Sequence, residues 1–326
     1  MIKRHIKCPH CGSLKTIKKG KSRHKQQYYC KDCKRKFLSK KRKKTHTIRR
    51  IIEEYIFHKQ SYRELKERYG YSKQKLHKTL ENYQLKEKKH KPRKVHLLVD
   101  AIWFGSKKDR NSFCVIVFRS QKEKENLYFS VEESETKLAY LKGRIYLESL
   151  GYEILSVTGD GFKGIKQAFS DIPYQMCHVH MERIVKRQTT RNPLTEAGQV
   201  LLALVKTLHT TNKEEFFERL RIFTFKYQDF LNEKTVNPET GKSFFTHKRV
   251  RSAWKSLLYF ADDLFSYEKD ANIAKNTNAL EGHFSHVRDI VSVHRGLSRR
   301  LKVKILFIIF LVSTIAPSKE KLDETL

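Results

Sequence analysis

The chain has 326 residues, 39% of them hydrophobic and 32% charged, and a formal net charge of +34. That length exceeds one small domain, and the apolar fraction is enough to bury a core. The longest apolar run, residues 305–315, falls short of the roughly 20 residues that cross a bilayer and reads as a buried helix.

The charge is concentrated at one end. Residues 1–94 hold 33 Lys and Arg against 7 Asp and Glu, whereas residues 95–326 hold 36 against 28. A polycation joined to a milder body is the electrostatic footprint of a phosphate-backbone binder, with salt-sensitive affinity. A membrane surface suits it less, because the basic third is not one long amphipathic helix. The opening "MIKRHIKCPHC" has no apolar leader core. The six cysteines fall as two CxxC pairs plus Cys114 and Cys177, which points to metal rather than disulfides. A soluble cytoplasmic protein with no membrane partner is expected.

Residues 8–33 read C-x2-C-x18-C-x2-C. Each CxxC makes a tight knuckle, and two knuckles bring four thiolates into a tetrahedron around Zn2+. Cys8, Cys11, Cys30 and Cys33 are the expected ligands, and Tyr28 and Tyr29 suggest a short β-hairpin between the knuckles. A zinc ribbon over 1–39 follows, since so small a module has little core without metal. Its Lys and Arg suit contact with nucleic acid. "KKRKK" (40–44) reads as a basic connector.

Three short helices are expected over 45–85. Thr47 to His58 carries Ile48, Ile51, Ile52, Tyr55 and Ile56 at helical spacing. In "SYRELKERYG", Ser61 and Glu64 form a capping box and Gly70 a turn. "YSKQKLHKTLENY" begins at Ser72 and puts Leu76 and Leu80 on one face. That pattern suits a helix-turn-helix whose last helix presents Lys73, Gln74, Lys75, His77 and Lys78 to DNA. A small helical spacer fits the same pattern. "KEKKHKPRK" (86–94) reads as a charged linker and domain boundary.

From 95 the pattern turns to strands at 95–104, 113–120 and 125–131, then a helix over 134–150 and a strand over 152–161. Three meandering strands, a helix and a parallel return strand open an RNase H-like fold. "YQMCHVHMERIVKR" (174–187) reads as a fifth strand passing into a helix. The expected class is α/β: an RNase H-like catalytic domain (95–190), an all-helical insertion (191–275) with a Thr211–Glu214 capping box, and the last catalytic helices (276–326).

Three acids stand where this fold would converge them. Asp100 lies inside the first strand, in "HLLVDAIWFG", whose apolar run suits a strand covered on both faces. Asp160 follows the fourth strand in "TGDG", and Glu281 begins a late helix in "NTNALEGHF". Each has a plainer reading. Asp160 suits a turn or a helix cap, Glu281 a capping box with Asn278, and Asp100 a buried pair with Arg or Lys. Read together, they suit hard divalent cations, Mg2+ or Mn2+. Two ions about 3.5–4 Å apart would clamp both oxygens of an in-line phosphoryl displacement.

"HLLVDAIWF", "TGDGFKGI", "CHVHMERIVKR" and "NTNALEGHFSHVRDIVSVHRGLS" together resemble the DDE transposases of bacterial insertion sequences related to the Mutator group, in the variant with an N-terminal zinc ribbon. The resemblance spans nearly the whole chain and puts the catalytic triad on Asp100, Asp160 and Glu281. It implies Mg2+-dependent strand cleavage and joining at terminal inverted repeats, transfer into target DNA, a dimer or higher assembly on DNA, and a cytoplasmic, nucleoid-associated location.

The family's C-x2-H falls on Cys177 and His180. They suit a second zinc completed by His283 and His286, or a buried hydrogen-bonded pair; His178 or His180 would otherwise line the DNA path. In "VHRGLSRRLK", His294, Arg295, Arg299 and Arg300 suit phosphate contacts, or a solvated face. Two other readings remain open. One is a catalytically inactive transposase-derived DNA-binding regulator, and the other is a nuclease of RNA–DNA hybrids or junctions.

Overall fold

The computed structural model describes residues 6–22, 25–38, 46–106, 111–314 and 317–326. The basic connector at 40–44 lies outside the described residues. The chain divides into two compact units, residues 1–51 and 52–326.

In the first unit the cysteine knuckles flank an antiparallel sheet of three strands, where a hairpin was expected. These are β1 (Thr16–Ser22), β2 (Lys25–Cys30) and β3 (Lys36–Leu38), in that order. Its buried apolar side chains are few: Cys8, Cys30 and Phe37, with Tyr28 stacked on Phe37 at 5.8 Å. So small a core leaves the fold dependent on whatever joins the knuckles.

The division between units falls within α1 (His46–Ile56). Next come α2 (Tyr62–Tyr69) and α3 (Lys73–Glu81). The Ser61–Glu64 capping box forms in both directions, Gly70 ends α2 at φ +68°, and Ser72 caps α3 through the Lys75 N–H. Two helices are thus joined by a three-residue turn, with Leu65, Leu76 and Leu80 buried.

The second unit is built on a mixed five-stranded sheet: β4 (Lys94–Phe104), β5 (Phe113–Ser120), β6 (Asn126–Glu132), β7 (Glu153–Gly159) and β8 (Tyr174–Met176). The order is β6-β5-β4-β7-β8, with the first three antiparallel and β7 and β8 parallel to β4. This is the expected meander with a parallel return. The crossover is α4 (Lys137–Ser149), and α5 (Lys163–Ala168) and α6 (His178–Thr189) follow β7 and β8.

Alternation along β4 explains its unbroken apolar run. Val95, Leu97 and Val99 join the core that holds Tyr140 and Leu147 of α4 and Ile165 of α5. Leu98, Asp100 and Ile102 therefore point to the opposite face. Both faces are covered, and each fully buried Leu, Val or Phe is worth about 1.5–3 kcal/mol. Gly143 lets α4 approach: a Cβ there would stand 2.6 Å from the Tyr128 ring.

The insertion is not all helical. It runs through α7 (Glu196–Lys206), α8 (Lys213–Lys226) and α9 (Gln228–Asn232), then a hairpin of β9 (Lys234–Val236) and β10 (Ser243–Phe245), then α10 (Lys248–Tyr259). "NPETG" supplies the turn, with Gly241 at φ +65°. Helix α8 is capped by Asn212 on the Glu215 N–H, one residue past the expected Thr211–Glu214 pair; Thr211 Oγ1 donates instead to the Thr207 carbonyl. Leu201, Leu220 and Leu257 continue the sheet's own core, so the insertion is not a separate body.

On the Asp100 side lie α11 (Asn278–Val293) and α12 (Arg299–Val312), followed by α13 (Lys319–Thr325). Helix α12 packs against β6, α3, α11 and α13, which is why its second half, residues 305–312, is apolar nearly all round. Among the described residues no helix is long and apolar enough to cross a membrane.

Residues 86–94 are not the boundary expected of them. The Lys86 N–H donates to the Thr325 carbonyl, Lys88 pairs with Glu125 at 2.5 Å, and Arg93 pairs with Glu125 at 3.3 Å. The cations of this segment find a carboxylate in the β5–β6 turn, so it is strapped to the second unit.

Candidate active site and metal centres

Asp100 is 8% exposed, and Oδ1 accepts a hydrogen bond from the Ala101 N–H at 2.7 Å. No Lys or Arg among the described residues pairs with it, so the buried-pair reading does not hold. Burial pushes its carboxyl up to about 7; the Asp160 charge adds to the rise, the His180 charge opposes it, and Glu281 adds a little more. A buried carboxylate beside a like charge is unfavourable by several kcal/mol unless a cation or a proton answers it.

Asp160 reaches Asp100 through strand register. A one-residue irregularity between Val95 and His96 shifts β4 against β7, so that Leu98 pairs with Thr158. Two residues on, that register carries Asp100 towards Asp160, the residue that directly follows β7. Asp160 also makes the turn expected of it, with Oδ1 accepting from the Phe162 N–H at 3.0 Å. Gly161 follows at φ +92°, and a Cβ there would meet Met176 at 2.9 Å. The turn can therefore hold only glycine at that point.

Glu281 stands in the first turn of α11, yet its carboxylate is turned to α6. Arg183 holds it with two bonds, Nη1 to Oε1 at 2.8 Å and Nη2 to Oε2 at 2.7 Å, and His180 Nε2 is 3.5 Å from Oε1. The expected capping box with Asn278 is absent. Thr277 occupies the N-cap, and the Asn278 N–H is taken by Asn276 Oδ1. The three acids share one neighbourhood, but their oxygens are not drawn into a set lying wholly within 4.8 Å, as the cysteine sulfurs are.

Cys177, His180 and Arg183 recur at three-residue spacing and so lie on one face of the start of α6. Cys177 Sγ accepts from the N–H and Oγ1 of Thr277, both at 3.4 Å, and Thr277 Oγ1 is 3.4 Å from His180 Nδ1. Burial alone would raise the Cys177 thiol, but the hydrogen bonds of His180 and Thr277 hold it below its ordinary value. Burial also opposes the His180 charge, yet Cys177, Asp100 and Asp160 together raise its pKa.

The four-ligand second zinc does not assemble. His283 lies 3.2 Å from the Asn126 amide and edge-on to the Phe310 ring, and burial, with Arg119 nearby, pushes it down to about 3. His286 is exposed. Cys177 is buried and hydrogen-bonds the half-buried His180. Nor does His178 line a path for DNA: it is fully buried, with Nε2 2.6 Å from the Leu264 carbonyl.

The N-terminal quartet is different. Among the described residues, Cys8, Cys11, Cys30 and Cys33 form the one set whose ligand atoms all lie within 4.8 Å. Cys8 and Cys33 sulfurs are 3.6 Å apart, as are those of Cys11 and Cys30. A tetrahedron of about 2.3 Å Zn–S bonds has edges of about 3.8 Å, so the quartet fits Zn2+.

Lys73, Gln74, Lys75 and Lys78 are exposed on α3, and His77 is half-buried. Arg295 and Arg300 are exposed, whereas Arg299 pairs with Glu133 and covers the Phe113 ring at 5.2 Å. His294 is buried and stacked on Tyr55 at 3.9 Å, which removes it from any phosphate.

Two residues at the site were not singled out in the sequence. Arg183 carried a signal, its three-residue spacing from His180. Glu135 carried none, lying in an acidic "EESE" loop. Its Oε1 accepts from Tyr140 OH at 2.6 Å and it also hydrogen-bonds Trp103. Burial raises its pKa, and the Asp160 charge adds to the rise.

No protein-family model matches the chain, and no curated protein matches it. Among solved structures it is similar to the catalytic core domain of HTLV-2 integrase in complex with magnesium (trimeric form), at 16% identity over 49% of this chain and 97% of that one, with a TM-score of 0.23. It is also similar to the Drosophila P element transposase strand transfer complex, at 11% identity over 87% of this chain and 94% of that one, with a TM-score of 0.41.

Proposed function

We propose that the chain is a DNA transposase that binds the terminal inverted repeats of an insertion sequence and carries out Mg2+-dependent strand cleavage and strand transfer. The observation that carries this reading is Asp100: buried, with no Lys or Arg pair among the described residues, and directed by the β4–β7 register towards Asp160 just past the end of β7. Asp100, Asp160 and Glu281 would hold Mg2+ or Mn2+, as two ions per site. Such ions neutralise the carboxylates and polarise the phosphate oxygens.

The chain's own groups fix the rest. The Asp160 turn spends Oδ1 on the Phe162 N–H and leaves Oδ2 out of that bond. Arg183 sets the Glu281 carboxylate and must yield an oxygen before that residue joins the other two. The α3 cations and the basic first third supply phosphate contacts, and Zn2+ at the four cysteines would order the N-terminal unit. Synapsis of two DNA ends calls for two copies of the chain, hence a dimer or higher assembly on DNA. A cytoplasmic, nucleoid-associated place in a bacterium follows from the same reading.

The test is strand transfer with pre-cleaved inverted-repeat DNA, taken from the flanks of the reading frame. The wild type joins ends in Mg2+, while Asp100→Asn binds them equally well and joins none. The bidentate hold of Arg183 on Glu281 favours a second reading, the catalytically inactive DNA-binding regulator. Wild-type protein that binds the ends but neither cuts nor joins in Mg2+ or Mn2+ would decide for it.

A further inference from the structure

A cavity of about 490 Å³ opens beside the Asp160 turn, between Gly161 and helix α10 of the insertion. Lys163, Lys248 and Lys255 line it and are exposed, and no carboxylate does. None of the three lysines forms an ion pair with a described residue. Three aromatic rings share the wall: Phe245 from the hairpin, Tyr259 from the end of α10, and the buried Phe260 that follows it. Tyr259 is 52% exposed, with the Lys163 and Lys166 ammonium groups 5.7 and 5.5 Å from its ring centre.

Arg251 braces this wall and is not free for a ligand. Its guanidinium lies 3.9 Å from the centre of the Phe245 ring and donates to the Leu231 carbonyl and Asn232 Oδ1. The hairpin and α10 are therefore held together, and the lysines are presented from fixed backbones. Unpaired cations tracking a wall that carries an exposed ring match what a single nucleic-acid strand requires: phosphates along the charges and a base on the ring. An anion without a base would need the lysines but not the aromatic wall.

We propose that this groove binds a single DNA strand, with phosphates at Lys163, Lys248 and Lys255 and a base stacked on Tyr259. It thereby holds the nucleotides next to the bond that is cut. The position of the strand rests on the transposase reading; the binding itself does not. The strand has two sources, the donor DNA at the element's end and the target DNA, and both present the same chemistry.

The experiment uses the full-length protein. Binding of a fluorescent oligo-dT is measured across a salt series for the wild type and for the triple variant Lys163→Gln, Lys248→Gln, Lys255→Gln. Each lost phosphate contact flattens the slope of log affinity against log salt by about 0.7, so a decrease of about 2 is expected. In parallel, 5-iodouracil is placed on either side of the cut in donor DNA, or in target DNA, and photo-crosslinked. Attachment at Tyr259 is expected from one of these arms, and that arm names the source. An unchanged slope, or a changed slope with no attachment at Tyr259 from any arm, overturns the proposal. If slope and crosslink behave as expected but the wild type never cleaves or joins, the groove stands and the transposase reading fails. If strand transfer proceeds in the triple variant at wild-type KM with no crosslink, the reverse holds.

Discussion

The register that brings Asp100 on β4 towards Asp160, the residue after β7, is set by a single extra residue. Val95 pairs with Ile154 but His96 pairs with Ser156, leaving Leu155 unmatched. Without that bulge Asp100 would be level with Gly159, and the like-charged pair would not form. Bulges re-aim side chains and are enriched next to active sites. Here one sets the register that brings the Asp160 charge to add to the rise that burial already gives the Asp100 pKa.

Asp100→Asn should therefore stabilise the protein in chelator at pH 8. The folded pKa of about 7 lies above the unfolded value near 4, so the stability that Asp100 confers is full below pH 4 and lost as pH rises through 7. At pH 8 the charged form costs up to about 4 kcal/mol, at about 1.4 kcal/mol per unit. Asparagine keeps the shape and removes that charge, so Tm should rise by several degrees. Millimolar Mg2+ should then stabilise the wild type and leave the variant nearly unchanged. Equal stabilisation of both would mean that the ion binds elsewhere.

Arg183→Gln should tighten divalent binding. The Arg183–Glu281 pair is bidentate but half exposed, with the Arg side chain 50% accessible, so it is worth no more than about 1 kcal/mol. Freeing Glu281 should lower the Mg2+ midpoint by up to about fivefold, read as Tm against Mg2+ concentration. A midpoint that rises would show instead that Arg183 orders the carboxylate for the ion.

How much of this the sequence shows depends on how local each cause is. The cysteine quartet was legible because each knuckle is set by two residues around a tight turn. Asp100 was legible because a carboxylate inside an apolar run has few ways to be satisfied. The partner of Glu281 was not, since Arg183 is 98 positions away and only the tertiary fold brings the starts of α6 and α11 together. The bulge at Leu155 has no composition of its own. The β9–β10 hairpin does carry one in "NPETG", a turn signal set in a stretch otherwise helical in pattern.

Removing zinc should unfold the first unit alone. Among the described residues, the buried apolar side chains around the knuckles are only Cys8, Cys30 and Phe37, so a metal at the four cysteines would be the main thing holding this unit. A strong chelator, or Cys30→Ser, should expose this unit to protease while 52–326 stay resistant. Uniform loss of the whole chain would sink the idea of separate units.

The buried His178 should make the protein sensitive to acid. Burial pushes it down to about 4; the Leu264 carbonyl opposes this, while the His209 ring and Lys275 add to it. The unfolded chain takes up its proton near pH 6.5 and the folded one does not, so stability falls as pH drops from 6.5 towards 4. By pH 5 the loss is about 2 kcal/mol. His178→Gln can still donate to the Leu264 carbonyl without titrating. The fall in Tm between pH 7 and 5 should be steeper in the wild type than in the variant, and parallel curves would exclude His178 as the cause.

Gly143→Ala tests how closely α4 is pressed onto the sheet. Alanine gains about 1 kcal/mol of helix propensity, but its methyl carbon would lie 2.6 Å from Tyr128 and 2.8 Å from Phe118. Phe118 is fully buried and makes an edge contact with the half-buried Tyr128 at 5.4 Å, so the Phe118 ring has no free space to enter and Tyr128 can yield only by shifting outwards. Overpacking of this kind costs about 1–3 kcal/mol, and the net change should be destabilising despite the better helix former. In a Tyr128→Ala background the closest clash is gone, and the same substitution should become neutral or favourable. A double-mutant cycle measured by denaturant unfolding reads that coupling directly. Additive effects would mean that α4 moves away from the sheet freely, contrary to the packing seen at Gly143.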